Sequence, residues 1–153
     1  FNDIPDYILI DGLLEEVSSF DSIVAPDWAA FVKTGTHRER PPHQENWWLI
    51  RSAAILRKVA FKGPIGTNHM AQEFGGPRDR GVKPNRAAAG SRNIARTILR
   101  QLTDSGLITS SHNAAGTVNY GKILTPEGHK LLNNVAHSVR KVAEEKYPGL
   151  SNY

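Results

Sequence analysis

SRNIARTILRQLTDSG, residues 91–106, is the stretch of this 153-residue sequence that decides its fold. Ser is a residue that caps helix N-termini and Gly is one that ends helices, so Ser91 and Gly106 predict the two ends of a single helix. Its apolar side chains share one side of that helix and its basic side chains another: Ile94, Ala95, Ile98 and Leu102 against Arg92, Arg96 and Arg100. The stretch therefore predicts a helix that packs on a core and presents positive charge.

The segments around this helix predict a hairpin and two more helices. Downstream, two short apolar segments, 107–108 and 122–124, flank a loop rich in Ser, Asn, Ala and Gly, which is typical of a β-hairpin with a long mobile tip. Pro126 then begins a last helix. Upstream, residues 65–74 predict a short helix and residues 78–90 an extended basic loop. Short helix, turn, capped basic helix, hairpin and closing helix is the order of a winged helix-turn-helix.

Further helices precede this unit. Apolar residues at helical spacing predict an amphipathic helix over residues 6–20, and Pro26 opens a shorter helical piece. Residues 46–61 predict a central helix, because its apolar side chains run almost all the way round. We therefore expect a mainly α, winged helix-turn-helix-like fold with additional N-terminal helices and a small β-hairpin. The length fits a single domain over residues 1–153.

Charge is segregated along the chain. Residues 1–32 carry seven acidic side chains and no Lys or Arg, residues 33–100 carry fourteen Lys or Arg against four acids, and residues 101–153 carry five against four. A concentrated basic segment usually faces a polyanion, because the release of counterions from phosphates drives such contacts. We expect the acidic first segment to be a scaffold held away from that polyanion.

The composition and motifs exclude several classes of protein. No apolar run approaches the length that spans a bilayer and no signal peptide opens the chain, which favours the cytoplasm. The chain has no Cys, and its six His show no metal-ligand spacing. Residues 116–122 (GTVNYGK) mimic a phosphate-binding loop, but Ile123 stands where that motif needs Ser or Thr. We expect no enzyme, no catalytic residue, no metal site, no cofactor and no small-molecule substrate.

The basic side chains of the middle segment lie on two loops and two helices. On the central helix, Arg51, Lys58 and Lys62 fall close to one line and predict one solvent-facing stripe. A merely solvated surface is the alternative, but few acids accompany these cations, which favours phosphate contacts. The candidates are Lys33, Arg38, Arg40, Arg51, Lys58, Lys62, Arg78, Arg80, Lys83, Arg86, Arg92, Arg96 and Arg100.

Two adjacent tryptophans open the predicted central helix. Trp47 and Trp48 could form a platform on which bases stack, as aromatic side chains do in proteins that bind single strands. Apolar neighbours at the start of a helix favour the core instead. We expect at least one of the two in the core, with Trp28 and Phe31 as neighbours.

Five segments together resemble the ribosomal protein S19e family of archaeal and eukaryotic-type small subunits. They are PDWAAFVKTGTHRERPP (26–42), ENWWLIRSAAILRKV (45–59), FGGPRDRG (74–81), GSRNIARTILRQL (90–102) and KILTPEG (122–128). The likeness runs in order over residues 4–142. KILTPEG alone is weak, since many winged-helix regulators have a similar junction between hairpin and helix.

The resemblance implies a winged-helix-like structural protein in the head of the small ribosomal subunit. Its expected partners are small-subunit rRNA and neighbouring small-subunit proteins, with a role in rRNA maturation and no membrane contact. The family's functional surface adds His37 and Arg57 to the RNA-binding candidates named above.

A winged-helix DNA-binding transcription regulator is the alternative function. It predicts base-reading side chains concentrated on residues 91–103, where Asn93 and Gln101 are the available readers. Gln101 is predicted to face away from the arginines, and the densest positive charge precedes this helix. The sequence therefore favours the ribosomal function.

Overall fold

A computed structural model describes residues 3–149, and within them the chain is mainly helical, as predicted. The helices are α1 (Asp6–Ser18), α2 (Trp47–Lys62), α3 (Thr67–Glu73), α4 (Arg92–Asp104) and α5 (Pro126–Lys146), with a 3₁₀ turn at Asp27–Ala30. Two antiparallel hairpins accompany them: β1 (Gly76–Arg80) with β2 (Lys83–Ala88), and β3 (Ile108–His112) with β4 (Asn119–Leu124).

Helix α2 lies at the centre of the packing, as its apolar content predicts. It contacts α1, α4 and β4, while α1 also packs along α5. Buried apolar side chains of all these helices form one cluster, in which Trp48, Leu56, Ile98 and Leu132 are almost completely removed from solvent. The burial of such side chains, at about 25 cal/mol per Å² of apolar surface, is the main force that holds the helices together.

Both tryptophans of α2 are in the core. Trp47 and Trp48 are 8% and 1% exposed, and Trp28 meets the Trp48 ring edge-on with ring centroids 5.6 Å apart. The core prediction is therefore confirmed, but the prediction for Phe31 was wrong, because its side chain is 84% exposed. The 3₁₀ turn ends at Ala30, so Phe31 leaves the face that Trp28 shares with the core.

The predicted starts of α4 and α5 are confirmed by N-terminal capping hydrogen bonds. Ser91 Oγ accepts from the Ile94 N–H at 3.3 Å, and Thr125 Oγ1 accepts from the Gly128 N–H at 3.2 Å. Gly106 follows α4 with a φ of +84°, the left-handed conformation that ends helices. The segment that decided the fold in the sequence is thus a single capped helix.

Residues 78–90 depart from the prediction of an extended basic loop, because most of them pair in the β1–β2 hairpin. Pro77 and Pro84 argue against strands in the sequence, but an isolated two-stranded hairpin has edges on both sides, where Pro is tolerated. Gly81 makes the turn with a φ of +73°, and Asp79 Oδ1 accepts the Gly81 N–H at 2.9 Å. Asp79 and Gly81 together supply the turn chemistry that the sequence prediction missed.

The β3–β4 hairpin occurs where the sequence predicts it, with a tip shorter than expected. The strands reach His112 and resume at Asn119, and the Asn113 side chain accepts from the Thr117 and Val118 N–H groups at 2.9 and 3.2 Å. Ile65, between α2 and α3, forms an isolated bridge to Lys122 of β4. The hairpin is thereby attached to the helices on its β4 side.

Candidate nucleic-acid interface

Arg51 is the most unusual of the sequence-predicted binding residues. Its guanidinium carbon lies 4.2 Å from the centroid of the Phe74 ring, and burial, followed by the nearby positive charge of Arg38, lowers the pKa of Arg51 to about 10. Within residues 3–149, no Asp or Glu forms a salt bridge with it. Arg51 is therefore a largely buried cation beside a second cation and without a protein anion.

Arg51 lines an open cleft of about 510 Å³ in front of α2. Arg38 and Arg40 line the same cleft from the preceding loop, and Trp47 forms part of its wall. Both loop arginines are exposed. The structure therefore brings three of the predicted cations together around one concave surface, which is electrostatically suited to an anion.

His37 packs between this loop and the start of β1. An added Cβ would lie 2.7 Å from the His37 ring at Gly35, which would force the ring to shift, and 3.0 Å from it at Gly76, which would be a tight contact. Both ring nitrogens of His37 are buried without a hydrogen-bond partner among the described residues. Burial lowers the pKa of His37, with Arg38 and Arg51 acting in the same direction. The His37 ring therefore packs in its uncharged form between the loop and the hairpin.

Lys62 is exposed and Lys58 is half-buried, so the solvent-facing stripe that the sequence predicts is only partly present, and both lysines are paired with an acid. Their ammonium groups lie 3.2 and 2.6 Å from the two carboxylate oxygens of Glu73, at the end of α3. The hydrogen bond from Lys62 is the largest cause that lowers the Glu73 pKa, and Lys58 adds to it against the opposing effect of burial. Helical spacing aligned the two lysines correctly, but α3 brings an acid to them.

Arg57 points to a different side of α2. It follows Arg51 by six residues, which at about 100° per residue places the two about 120° apart around the helix. The Arg57 guanidinium carbon lies 4.5 Å from the Phe61 ring centroid, and its Nε is buried without a hydrogen-bond partner in the described part of the chain. The structure thus separates this candidate from the Arg51 cleft.

The β1–β2 hairpin carries its cations in facing pairs. Arg78 stands opposite Arg86, and Arg80 stands opposite Lys83, with an irregularity of register at Asp79. These side chains line a shallow concavity of about 550 Å³. In the described region none of the four forms a salt bridge. The hairpin is therefore an exposed and strongly positive projection.

The base of the hairpin joins the loop that carries the other basic residues. The Gly90 N–H donates to Ala71 O at 2.8 Å, and the Ser91 N–H donates to Thr34 O at 2.9 Å. Lys33 and Arg78 consequently line one open cavity of about 450 Å³. Two segments more than forty residues apart in the sequence thus present a shared basic surface.

Helix α4 presents its arginines to solvent and its glutamine to the core. Arg92, Arg96 and Arg100 are exposed. Gln101 Oε1 accepts the Trp48 Nε1–H at 2.9 Å, and Gln101 Nε2 donates to Val24 O at 2.8 Å. The prediction that Gln101 faces away from the arginines is confirmed. Its two hydrogen bonds, which no local sequence pattern reveals, leave it unavailable for reading a base.

Residues 3–149 contain neither a metal-binding cluster nor a membrane-spanning helix. No group of three or more His, Asp or Glu side chains in this range lies close enough to hold a metal ion. No helix in it is both long and apolar enough to cross a membrane.

Comparison with known proteins identifies the family of the chain. The family model described as ribosomal protein S19e matches residues 1–142. The chain is 41% identical to the small ribosomal subunit protein eS19 of Haloarcula marismortui, with 99% of this chain and 96% of the relative covered. It is 35% identical to eS19 of Thermoplasma acidophilum over 98% and 95% of the two chains, and 28% identical to eS19A of Schizosaccharomyces pombe over 80% and 81%.

The resemblance inferred from five sequence segments is confirmed by these matches. Because the family model covers most of the chain, this protein belongs to the ribosomal protein S19e family, whose members are structural proteins of cytoplasmic ribosomes rather than enzymes.

Proposed function

We propose that this constituent of the small ribosomal subunit binds rRNA in the head of the subunit through the Arg51 cleft, the β1–β2 hairpin and the exposed face of α4. We further propose that this binding contributes to small-subunit rRNA maturation. Neighbouring small-subunit proteins are its other partners. The observation that carries the proposal is the environment of Arg51.

A largely buried cation without an anion is costly for a folded protein. Moving a charge away from water disfavours it by several kcal/mol unless a counter-charge or hydrogen bonds compensate. The positive charge of Arg38 lowers the pKa of Arg51 further and so adds to the cost. A phosphate in the adjacent cleft would offset both effects, and the planar fork of Arg suits phosphate oxygens.

The spread of the remaining cations supports folded RNA as the ligand. Folded RNA is held largely through phosphates and 2′-hydroxyl groups over a broad surface, not through one helix in a groove. Here the exposed cations extend from Lys33 through the hairpin to Arg100. We propose all fifteen sequence-predicted residues as this surface, with Lys58, Lys62 and Arg57 contributing mainly through the packing described above.

We also propose that residues 65–124 form a winged-helix-like unit within a single domain. Helices α3 and α4 are followed by the β3–β4 hairpin, and the bridge from Ile65 to Lys122 supplies a third short strand contact beside it. This is the arrangement expected of a helix-turn-helix with a wing. The β1–β2 hairpin is inserted between its two helices.

The alternative of a DNA-binding regulator has less support. Such a protein reads base edges with side chains on the recognition helix. Gln101 forms hydrogen bonds with Trp48 and Val24. Of the two residues on α4 that the sequence suggested for reading bases, this leaves Asn93. Membership of the ribosomal protein S19e family also favours rRNA binding over the role of a DNA-binding regulator.

The substitution Arg51→Met tests the proposal because it keeps much of the side-chain volume and removes the charge. We expect the free energy of unfolding to stay equal or to rise, since an uncompensated buried charge is lost. Affinity for a transcript of the head domain of small-subunit rRNA should fall at least tenfold, about 1.4 kcal/mol. Comigration with small subunits on a high-salt sucrose gradient should weaken in parallel.

Lys141→Met is the matched control, because Lys141 is an exposed cation on α5, outside the proposed surface. It should leave both measurements unchanged. Unaltered rRNA affinity in the Arg51→Met variant would contradict the proposal. Tighter binding to duplex DNA than to the rRNA transcript would favour the regulator.

A further inference from the structure

The β1–β2 hairpin is strained by its own charges. Arg78 faces Arg86 and Arg80 faces Lys83 across the strands. Like charges directly opposite each other destabilise a strand pair. Asp79, the one acid on the hairpin, uses Oδ1 to accept the Gly81 N–H, and no salt bridge links it to the four cations in the described structure.

Packing does little to offset this repulsion. Most residues of β1 and β2 are exposed, and only Gly76, Arg80 and Ala88 among them are partly buried. A two-stranded hairpin in water is marginally stable at best when nothing covers it. The strand pairing therefore lacks both apolar burial and internal charge compensation.

The base, by contrast, is fixed to the body of the protein. His37 packs against Gly76 at the start of β1, and the Gly90 N–H just after β2 donates to Ala71 O at 2.8 Å. These contacts set the direction in which the hairpin projects, beside the cavity lined by Lys33 and Ser91. The hairpin is thus aimed by its base while its outer part stays in solvent.

The tip of the hairpin exposes an apolar side chain at a position where turns usually carry polar residues or Gly. Val82 follows Gly81 in the turn and is fully exposed, at 104%. Turns usually carry Gly, Asn, Asp, Ser or Pro, and a β-branched residue has no conformational advantage there. Lys83 directly follows Val82 and Arg80 precedes it by two residues, so a ligand that reaches Val82 comes close to two cations.

We propose that the β1–β2 hairpin is an RNA-binding arm whose marginal strand pairing is stabilised by the RNA: phosphates neutralise the facing cations, and Val82 packs on a ribose or base at the tip. This inference rests on the proposed rRNA binding and specifies how one element performs it. The arm orders on binding, while the Arg51 cleft is already formed in the unbound protein.

Hydrogen exchange of the backbone amides of β1 and β2 tests the ordering. In the unbound protein we expect exchange much faster than in α2, and at least tenfold slower exchange once the rRNA head-domain transcript is bound. Polyphosphate, which has no nucleosides, should give part of this protection. Equal and strong protection of the strand amides with and without RNA would overturn the ordering.

Two sets of variants test the contacts. Arg78→Gln with Arg86→Gln should reduce the slope of log affinity against log salt by about 1.4–1.8, since each lost phosphate contact accounts for about 0.7–0.9. Val82→Ser should weaken binding to the transcript severalfold and leave binding to polyphosphate unchanged. The control pair Lys130→Gln with Lys141→Gln removes the same charge from exposed positions of α5 and should keep the slope.

The outcomes separate this inference from the proposed function. If the hairpin variants bind like the original protein while Arg51→Met does not, the arm is refuted and rRNA binding stands. If the unaltered protein fails to bind the transcript, rRNA binding itself is refuted, and the arm with it.

Discussion

Helix α2 and the β1–β2 hairpin each carry four cations, but the surroundings of those cations differ. On α2, Lys58 and Lys62 bind Glu73, and Arg51 and Arg57 each lie over an aromatic ring. On the hairpin, the four cations face one another and solvent without a salt bridge in the described structure. Equal charge in the sequence therefore does not mean equal charge available to a ligand.

The comparison shows that neighbours in space decide what a cation does. Apolar and ion-paired side chains on α2 take part in the stability of the fold, whereas the unpaired cation Arg51 is expected to contribute to binding. Side chains on the hairpin have few neighbours and are available chiefly to a partner. Substitutions in the two regions should therefore separate stability from binding, and three measurements test that separation.

Truncation of an apolar side chain in each region should give the largest contrast. Trp48→Ala removes a ring that packs on Trp28 and donates to Gln101, and we expect a loss of about 3–5 kcal/mol in the free energy of unfolding. Val82→Ala at the hairpin tip should change it by less than about 0.5 kcal/mol. Urea unfolding measures both. Similar losses for the two variants would contradict the contrast.

Glu73→Gln should make the α2 lysines resemble the hairpin cations. Loss of the two ion pairs should cost about 1 kcal/mol of unfolding free energy, because both pairs are partly exposed. The released Lys58 and Lys62 should then bind RNA more strongly. The salt slope should become steeper by about 0.7–0.9 for each additional phosphate that they neutralise.

Glu145→Gln on α5 is the control for this effect, because it removes an exposed acid without touching α2. It should leave the salt slope close to that of the unaltered protein. An unchanged slope in Glu73→Gln would mean that the two lysines do not reach the RNA even when unpaired.

The smallest expected effect concerns His37, which joins the two regions. Burial, Arg38 and Arg51 lower its pKa in the folded protein below the unfolded value of 6.5. The unfolded chain therefore takes up the proton first, and the stabilising contribution is present above pH 6.5 and is lost as the pH falls through the folded pKa. His37→Gln should reduce the decline of unfolding free energy between pH 7.5 and about 5.5, an interval in which His titrates.

The exposed His43 provides the comparison for this measurement, as it lies in the same loop. His43→Gln should leave the decline nearly as it is in the unaltered protein. If the two variants behave alike, burial of His37 does not contribute to the pH dependence of stability.

Much of the helical framework could be predicted because its signals are local. Ser91, Thr125 and Pro126 mark helix starts through backbone chemistry that acts within one turn, and the apolar residues of α2 indicate a central helix without knowledge of its partners. The family could be recognised because its distinctive segments are continuous stretches of the sequence. The prediction of a loop over residues 78–90 was wrong because Pro77 and Pro84 argued against strands. Each strand of an isolated hairpin has one unpaired edge, where Pro is tolerated.

The candidate interface was harder to predict because its properties depend on distant residues. Glu73 lies eleven residues or more from the lysines that it neutralises, although its isolation among basic neighbours was an available signal. Gln101 reaches Trp48 and Val24 across the fold, and no spacing rule connects them. Phe31 was predicted to lie beside the core tryptophans because its side chain is apolar. The sequence did not show that the 3₁₀ turn ends at Ala30, just before it.

The sequence by itself determined most of the helices, the N-terminal caps of α4 and α5, the segregation of acidic and basic segments and the family. These follow from interactions between residues close together in the chain or from patterns carried by whole segments. Only the tertiary structure decided which cations are paired, which are buried and which project into solvent. Those states depend on dielectric surroundings and on charges a few ångströms away in space, and packing alone sets both.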